Sequence, residues 1–282
     1  PVFAGRKSDK EKFAGARATY SVEAMMQDGK ALQAATSHNF GTNFSEPFEI
    51  QFLDKDGALK YCHETSWGAS TRLIGALIMT HGDERGLRLP PKVAPLQVVI
   101  LPIAAHKGGV MDVCEDAFAQ LKGAGIRVKL DDRDHVTPGW KFNEWELKGV
   151  PLRLEIGPRD IANGVATYMR RDTLEKGTLA LDNLTQGVAD LLKDIQDTLL
   201  AQARAFMDEK TRDVFTMEEL AAQVDGGYAR AMWCGERECE DNVKEETGAT
   251  TRNMPFDQTP FADTCAACGK KAQHVMYFAR SY

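Results

Sequence analysis

The sequence predicts a multidomain chain of mixed α/β and α+β class, and three observations carry that expectation. At 282 residues the chain exceeds what one hydrophobic core fills economically. Its hydrophobic pattern changes from alternating, strand-like text before Pro91 to strand, helix, strand units after it. Four of its six cysteines gather between Cys234 and Cys268, whereas Cys62 and Cys114 stand alone. The domains expected on this basis are residues 1–94, 95–205 and 206–282.

The first region reads as antiparallel sheet, with strands over Ala31 to Thr36, Phe48 to Leu53 and Leu59 to Glu64. The Asp-Gly step in Lys55-Asp56-Gly57 favours a hairpin between the last two. After Gly68 the apolar spacing becomes helical, with Leu73, Leu77 and Ile78 on one face, and Pro90-Pro91 marks the end of the element or its following loop. The second region opens on Val98 to Leu101. An amphipathic helix through Val110, Val113, Ala117 and Leu121 follows, then Ile126 to Leu130 as the next strand. A helix near Lys141 to Leu147, strands at Leu152 to Ile156 and Val165 to Arg170, and a long helix carrying Leu184, Val188, Leu191, Ile195 and Leu199 complete an α/β domain with a mostly parallel sheet. The third region combines a short acidic helix signal, the clustered cysteines and a strand at Val275 to Phe278, a small metal-stapled domain.

Charged residues make up 27% and hydrophobic ones 43%, a globular balance. The net charge of −6 gives no general basic field, so any nucleic acid has to be met by a local patch. No apolar run approaches the ~20 residues that span a bilayer, and the expectation is a soluble cytoplasmic protein without a membrane partner. Asn43-Phe44-Ser45 matches a glycosylation acceptor, which matters only in secreted chains.

Two groups of residues carry chemistry on their own spacing. Gly68-Ala69-Ser70-Thr71-Arg72 sets an arginine at the start of a helix beside small residues, where a nucleotide can approach the backbone and its phosphates can take charge-assisted hydrogen bonds. Plain capping with a solvated charge is the commoner use of such a pattern. Cys234-x4-Cys239 and Cys265-x2-Cys268, 25 residues apart, form two thiolate pairs suited to a closed tetrahedral site, a structural zinc, with disulfides as the alternative and His274 as a substitute ligand. The intervening residues, Glu240 to Thr264, read as a polar loop with little apolar surface of its own. Lys129, Asp131 and Asp132 read as solvated charges.

The surrounding text resembles a known family. Gly68 to Arg72 is similar to motif 3 of class II aminoacyl-tRNA synthetases. Thr65-Ser66-Trp67-Gly68 before it, Thr80-His81-Gly82-Asp83 after it, and Leu32-Gln33-Ala34-Ala35-Thr36-Ser37-His38 upstream resemble prolyl-tRNA synthetase of the archaeal and eukaryote-like type. The resemblance implies the later part of an antiparallel catalytic domain, with ATP held by Gln33, Thr36, Ser70 and Arg72, and Gln33 also near magnesium. It implies Arg72 as the catalytic residue and His38, Trp67 and Gly68 around proline. Read alone, His38 is a surface loop histidine. Phe142 to Asp160, with Glu144-Trp145-Glu146 and Gly157-Pro158-Arg159, resembles the family's anticodon-binding domain, and Phe142, Glu146, Arg153 and Arg159 fall at its contact positions. Splayed anticodon bases can be stacked on such aromatics and read by carboxylates and arginines.

The reaction implied is ATP-dependent activation of L-proline to prolyl-adenylate and transfer to tRNA(Pro), with a homodimer as the working form. Zinc in the C-terminal domain and a terminal Tyr282 folded toward the active site belong to the same resemblance. Gly5 to Ala16 resembles the segment just after motif 2, so motifs 1 and 2 are expected upstream and the chain alone is expected to be inactive. Two other readings compete. A non-catalytic tRNA-binding derivative is opposed by Gln33, Thr36, His38 and Arg72, and a zinc-dependent DNA-binding module by Glu236, Glu238, Glu240 and Asp241, which repel phosphate.

Overall fold

The computed structural model describes all 282 residues, Pro1–Tyr282. They form two compact units, one of residues 1–80 with 204–282 and one of residues 81–203. The N-terminal and cysteine-rich regions thus share a unit, where the sequence reading separated them.

In the first unit, β1 (Phe3–Arg6), β2 (Ala18–Met25), β3 (Ala31–Gly41), β4 (Gln51–Leu53), β5 (Leu59–Tyr61), β6 (Glu64–Ala69) and α1 (Arg72–His81) follow in order. Strands β1, β2, β3 and β6 are antiparallel neighbours. The Asp-Gly hairpin forms as expected, with Leu53 opposite Leu59 and Gly57 at φ +78°. It makes a separate two-stranded sheet. Its first strand starts at Gln51 rather than Phe48, because Glu46 and Phe48 donate helical-turn hydrogen bonds to Thr42 and Phe44 and Glu49 turns left-handed at φ +55°. Helix α1 buries Ala76 against Met26 and Leu32, with Met79 beside them. Leu73 and Ile78, expected on a packed face, are exposed.

The second unit holds β7 (Gly82–Asp83), β8 (Gly86–Leu87), β9 (Val98–Pro102), α2 (Val110–Gly123), β10 (Val128–Leu130), α3 (Pro138–Leu147), β11 (Leu152–Ile156), α4 (Pro158–Ala162), β12 (Val165–Arg170), β13 (Lys176–Ala180) and the start of α5 (Leu184–Glu209). Helix α3 starts where Thr137 accepts from the Trp140 N–H and Pro138 stands at the first helical position. The sheet order is β10-β9-β11-β12-β13. Its β10/β9 and β9/β11 pairs are parallel, and its β11/β12 and β12/β13 pairs antiparallel. The sheet is therefore mixed, not mostly parallel. Only the first two connections contain a full crossover helix, and the later ones are too short to bring a strand back parallel. Val98, Ile100, Leu152, Leu154 and Ile156 face α2 and α5, whereas Val99 and Leu101 face Trp145 and Val150 on the α3 side. At about 25 cal/mol per Å² these apolar layers supply the main driving force for the unit.

The first unit resumes with β14 (Thr211–Val214), α6 (Met217–Gln223), β15 (Tyr228–Trp233), α7 (Arg237–Thr247), β16 (Thr250–Thr251), β17 (Met254–Pro255) and β18 (His274–Ala279). A second sheet runs β14-β15-β18-β16, and β17 adds to the first sheet on the free edge of β1. Gly5 permits that addition, since a Cβ there would stand 2.0 Å from the Met254 carbonyl oxygen. About half of the expected polar loop from Glu240 to Thr264 is thus ordered into α7, β16 and β17. The two pairs of strands and the buried side chains of α7, which include Glu240 and Val243, supply contacts that sequence hydropathy does not display.

Candidate functional site

The first candidate site lies on the β1-β2-β3-β6 sheet and depends on a bulge. Across β2 and β3, Glu23 faces Gln33, Val22 faces Ala35, Ser21 faces Thr36 and Thr19 faces His38, so Ala34 is the extra residue. In a regular strand Gln33 and Thr36 would point to opposite faces. One inserted residue restores a common face, on which Gln33, Thr36 and His38 stand with Glu23, Ser21 and Thr19. His38 Nδ1 lies 3.0 Å from the Thr19 hydroxyl. Gly68 is opposite Thr36, with no atom within 4 Å of where a Cβ would be, so this part of the face is open. Trp67 is opposite Ser37 and 79% exposed. The alternation of a strand sends its ring to the other face, so the fold groups His38 with Gly68 but not with the Trp67 side chain. Arg72 opens α1, its backbone N–H 3.3 Å from the Ser70 hydroxyl and its side chain exposed at the positive end of the helix.

The second candidate site lies on the second unit's sheet, on the side of α3. Arg153 stacks its guanidinium 4.1 Å from the Phe142 ring centre and pairs with Glu155 at 3.0 Å. Lys176 reaches the other Glu155 oxygen at 3.4 Å. Glu146 lines a cleft with Arg153 and accepts a 2.9 Å hydrogen bond from Arg85. Arg159, on α4, is exposed and apart from this group. Arg85 and Lys176 were missed in the sequence, because partners 61 and 21 residues away leave no periodic signal. Asp131 corrects another expectation. It is 1% exposed, not solvated, and accepts from Arg133 at 2.6 and 2.8 Å and from the Trp145 indole at 2.8 Å. Burial alone would raise its pKa, yet Arg133, Trp145 and Lys141 together hold the carboxyl well below the usual range. The network fixes α3, which carries Phe142 and Glu146, against the end of β10.

The third candidate site is the cysteine cluster. Cys234 follows β15, Cys239 sits in the first turn of α7, and Cys265 and Cys268 flank a turn closed by the Thr264/Lys271 bridge. Their four Sγ atoms lie within 4.8 Å of one another, and none is in a disulfide. Cys234 is 3.4 Å from Cys239 and 3.8 Å from Cys268. Four sulfurs around a tetrahedral ion with bonds near 2.3 Å stand roughly 3.8 Å apart, so the cluster can hold a metal. His274 packs on Trp233 and is not one of the four.

Comparison with known proteins gives the class first. Residues 97–191 match the family model described as "Anticodon binding domain", and residues 217–282 match "Prolyl-tRNA synthetase, C-terminal". Similar proteins include a proline-tRNA ligase of Alkaliphilus oremlandii, 56% identical over 284 aligned positions, and one of Acetoanaerobium sticklandii, 54% identical. A proline-tRNA ligase 2 of Clostridioides difficile is 52% identical. Each alignment takes in 100% of this chain and 59% of the relative. The chain belongs to the prolyl-tRNA synthetase family, and it spans about 59% of the length of the curated relatives it matches.

Proposed function

We propose that this chain forms the later part of a prolyl-tRNA synthetase, which activates L-proline with ATP and transfers it to tRNA(Pro). The observation that carries the reading is the bulge at Ala34, which gathers Gln33, Thr36 and His38 on one face opposite the open position at Gly68. In this reading a proline carboxylate oxygen attacks the α-phosphorus of ATP and pyrophosphate leaves. The terminal hydroxyl of the tRNA then attacks the prolyl carbonyl and AMP leaves. Arg72 as the catalytic residue, with Ser70, Gln33 and Thr36, holds the triphosphate and its magnesium, and stabilises charge as it develops on phosphorus. His38 and Gly68 border proline, with Trp67 contributing from its backbone. Phe142, Glu146, Arg153 and Arg159 meet the anticodon, whose guanines offer donors to the Glu146 carboxylate.

The four cysteines hold a structural zinc, whose closed coordination leaves no position for substrate. The domains follow as catalytic remainder, anticodon-binding and zinc-binding parts, acting as a cytoplasmic homodimer. A tRNA(Pro) transcript and one with both proline anticodon guanines replaced test the reading directly. We expect at least tenfold weaker binding of the second to this chain, from donors and acceptors left unpaired. Equal binding would defeat the anticodon assignment. Proline-dependent pyrophosphate exchange by a polypeptide of full family length tests the chemistry.

A further inference from the structure

The connection between β12 and β13, residues 171–175, is closed by the Arg170 N–H, which donates to the Glu175 carbonyl at 2.9 Å. It turns through Leu174 at φ +61°, one of three non-glycine residues in the left-handed region. Glycine or asparagine fits such a position readily, whereas the Cβ of a leucine crowds the backbone there. The turn has no freedom to relax. Arg170, 5% exposed, holds Asp172 at 2.8 and 3.0 Å, and Arg171 donates to the Glu146 carbonyl at 3.0 Å and grips Asp83. Strain persists where the surroundings over-determine it, and it gathers at ligand sites. Leu174 is 39% exposed, so burial in the fold does not account for a leucine at this position. It lines the cleft of Glu146, Arg153 and Met169, which at about 20 Å³ admits the edge of a base and not the whole ring.

We propose, on the strength of the anticodon reading, that Leu174 is the apolar surface on which an anticodon base rests while Glu146 and Arg153 take its edge. A base splayed out of its stack has an edge that hydrogen-bonds and a face that needs apolar cover. Glu146 and Arg153 serve the edge. For the face, Trp145 and Val150 of the same cleft are buried, and Phe142 already carries the Arg153 guanidinium 4.1 Å from its ring centre. Leu174 is the exposed apolar side chain at the mouth. Because Arg171 binds the Glu146 carbonyl, the turn also holds Leu174 in register with the carboxylate.

Affinity and stability measured together on the full chain test this. Leu174→Asn and Leu174→Gly both suit a left-handed backbone, so their urea midpoints should stay close to the native one, relief of strain offsetting the lost contact. Their affinity for a tRNA(Pro) transcript should fall about fivefold, as expected for one partly covered leucine. A transcript with both anticodon guanines replaced should bind these variants and the native chain alike. Leu174→Met, apolar on the same strained backbone, should bind the tRNA(Pro) transcript as the native chain does. If one of the Asn and Gly variants does not fold, the other decides. Native affinity in the folded variants overturns the proposal, and so does an equal fall on both transcripts, which would place the contact outside the anticodon. Glu146→Ala separates the two readings. Weaker binding by Glu146→Ala with native affinity in Leu174→Asn removes Leu174 alone, whereas native affinity in both removes the anticodon assignment with it.

Discussion

Arg85 and Glu146, 61 residues apart in the chain, are joined by a hydrogen bond of 2.9 Å from guanidinium to carboxylate. Glu146 is mostly shielded, its side chain 17% exposed, whereas Arg85 is 60% exposed. The pair has a direct consequence for RNA binding. On the anticodon reading, a guanine that takes both Glu146 oxygens displaces Arg85 from Oε1, so Arg85→Ala should strengthen binding of a tRNA(Pro) transcript two- to fivefold, the range for exposed pairs. Glu146→Ala should weaken it at least tenfold. Fluorescence anisotropy with labelled transcript checks both, and weaker binding by Arg85→Ala would show that Arg85 contacts the RNA itself.

Arg72 makes no ion pair and its side chain is exposed at the start of α1, so its removal costs the fold little. In a polypeptide of full family length, Arg72→Ala should slow proline-dependent pyrophosphate exchange by roughly 2–4 kcal/mol of transition-state stabilisation, about thirty- to several-hundredfold. Binding of tRNA(Pro) should be spared. Exchange at the native rate in the folded variant would remove Arg72 from the chemistry.

Asp83 binds Arg171 at two points, 2.5 and 2.9 Å, and Arg171 is 4% exposed. The Arg171 guanidinium pulls the Asp83 pKa down to about 2. A carboxylate whose folded pKa lies below its unfolded value stabilises the fold above about pH 4, and that contribution is lost as pH falls towards about 2. Allowing for solvent screening of a partly exposed group, about 1 kcal/mol is at stake. Urea unfolding of the native chain and of Asp83→Asn, from pH 5 down to pH 2.5, should show the difference between them shrinking with acid. A constant difference would assign the loss in Asp83→Asn to packing.

The legible parts of the fold are those with local periodicity. Strands β11 and β12 and the long helix α5 follow from runs such as Leu152, Leu154 and Ile156, whose spacing states their buried face. The candidate residues Gln33, Thr36 and His38 were legible through resemblance, but their common face was not, because a bulge at Ala34 is set by pairing with β2. Asp131 looked solvated because two of its partners, Lys141 and Trp145, reach it only when α3 docks on the sheet. The order in Glu240 to Thr264 was hidden for the same reason. Its apolar residues are few, and its polar ones are satisfied by strands far earlier in the chain.

That order changes what metal removal should do. Because α7 buries Val243 and Thr247 in its later turns, chelation should leave those turns protected and loosen chiefly the Cys234 to Cys239 and Cys265 to Cys268 segments. Hydrogen exchange with and without chelator maps the change. Elemental analysis should find about one zinc per chain, with Cys265→Ser well below it, since binding needs all the thiolates. Less than half a zinc per native chain under reducing conditions would remove the four-thiolate site.

The last prediction concerns Glu23 and Arg252, which form the buried ion pair on the face that carries Gln33. Arg252 donates to Glu23 Oε2 at 2.8 and 3.3 Å, and the side chains are 8% and 0% exposed. Arg252 also bonds the Thr250 hydroxyl, and the neighbouring Asn253 amide donates to the Phe3 carbonyl at 3.0 Å. These contacts seat the β16–β17 segment on β1 and β2. Arg252→Met leaves the Glu23 carboxylate buried with only Lys7 near it, at 3.9 Å. The cost should be about 3–5 kcal/mol. Glu23→Gln/Arg252→Met removes both charges and should recover part of that loss, a coupling that a double-mutant cycle isolates. Hydrogen exchange in β2 and β18 reports on this unit separately from the other, so global unfolding need not be two-state. Exchange should quicken in Arg252→Met and slow again in the double variant. Additive losses in the two single variants would mean that each side chain acts through packing alone, and that the pair does not fasten the segment.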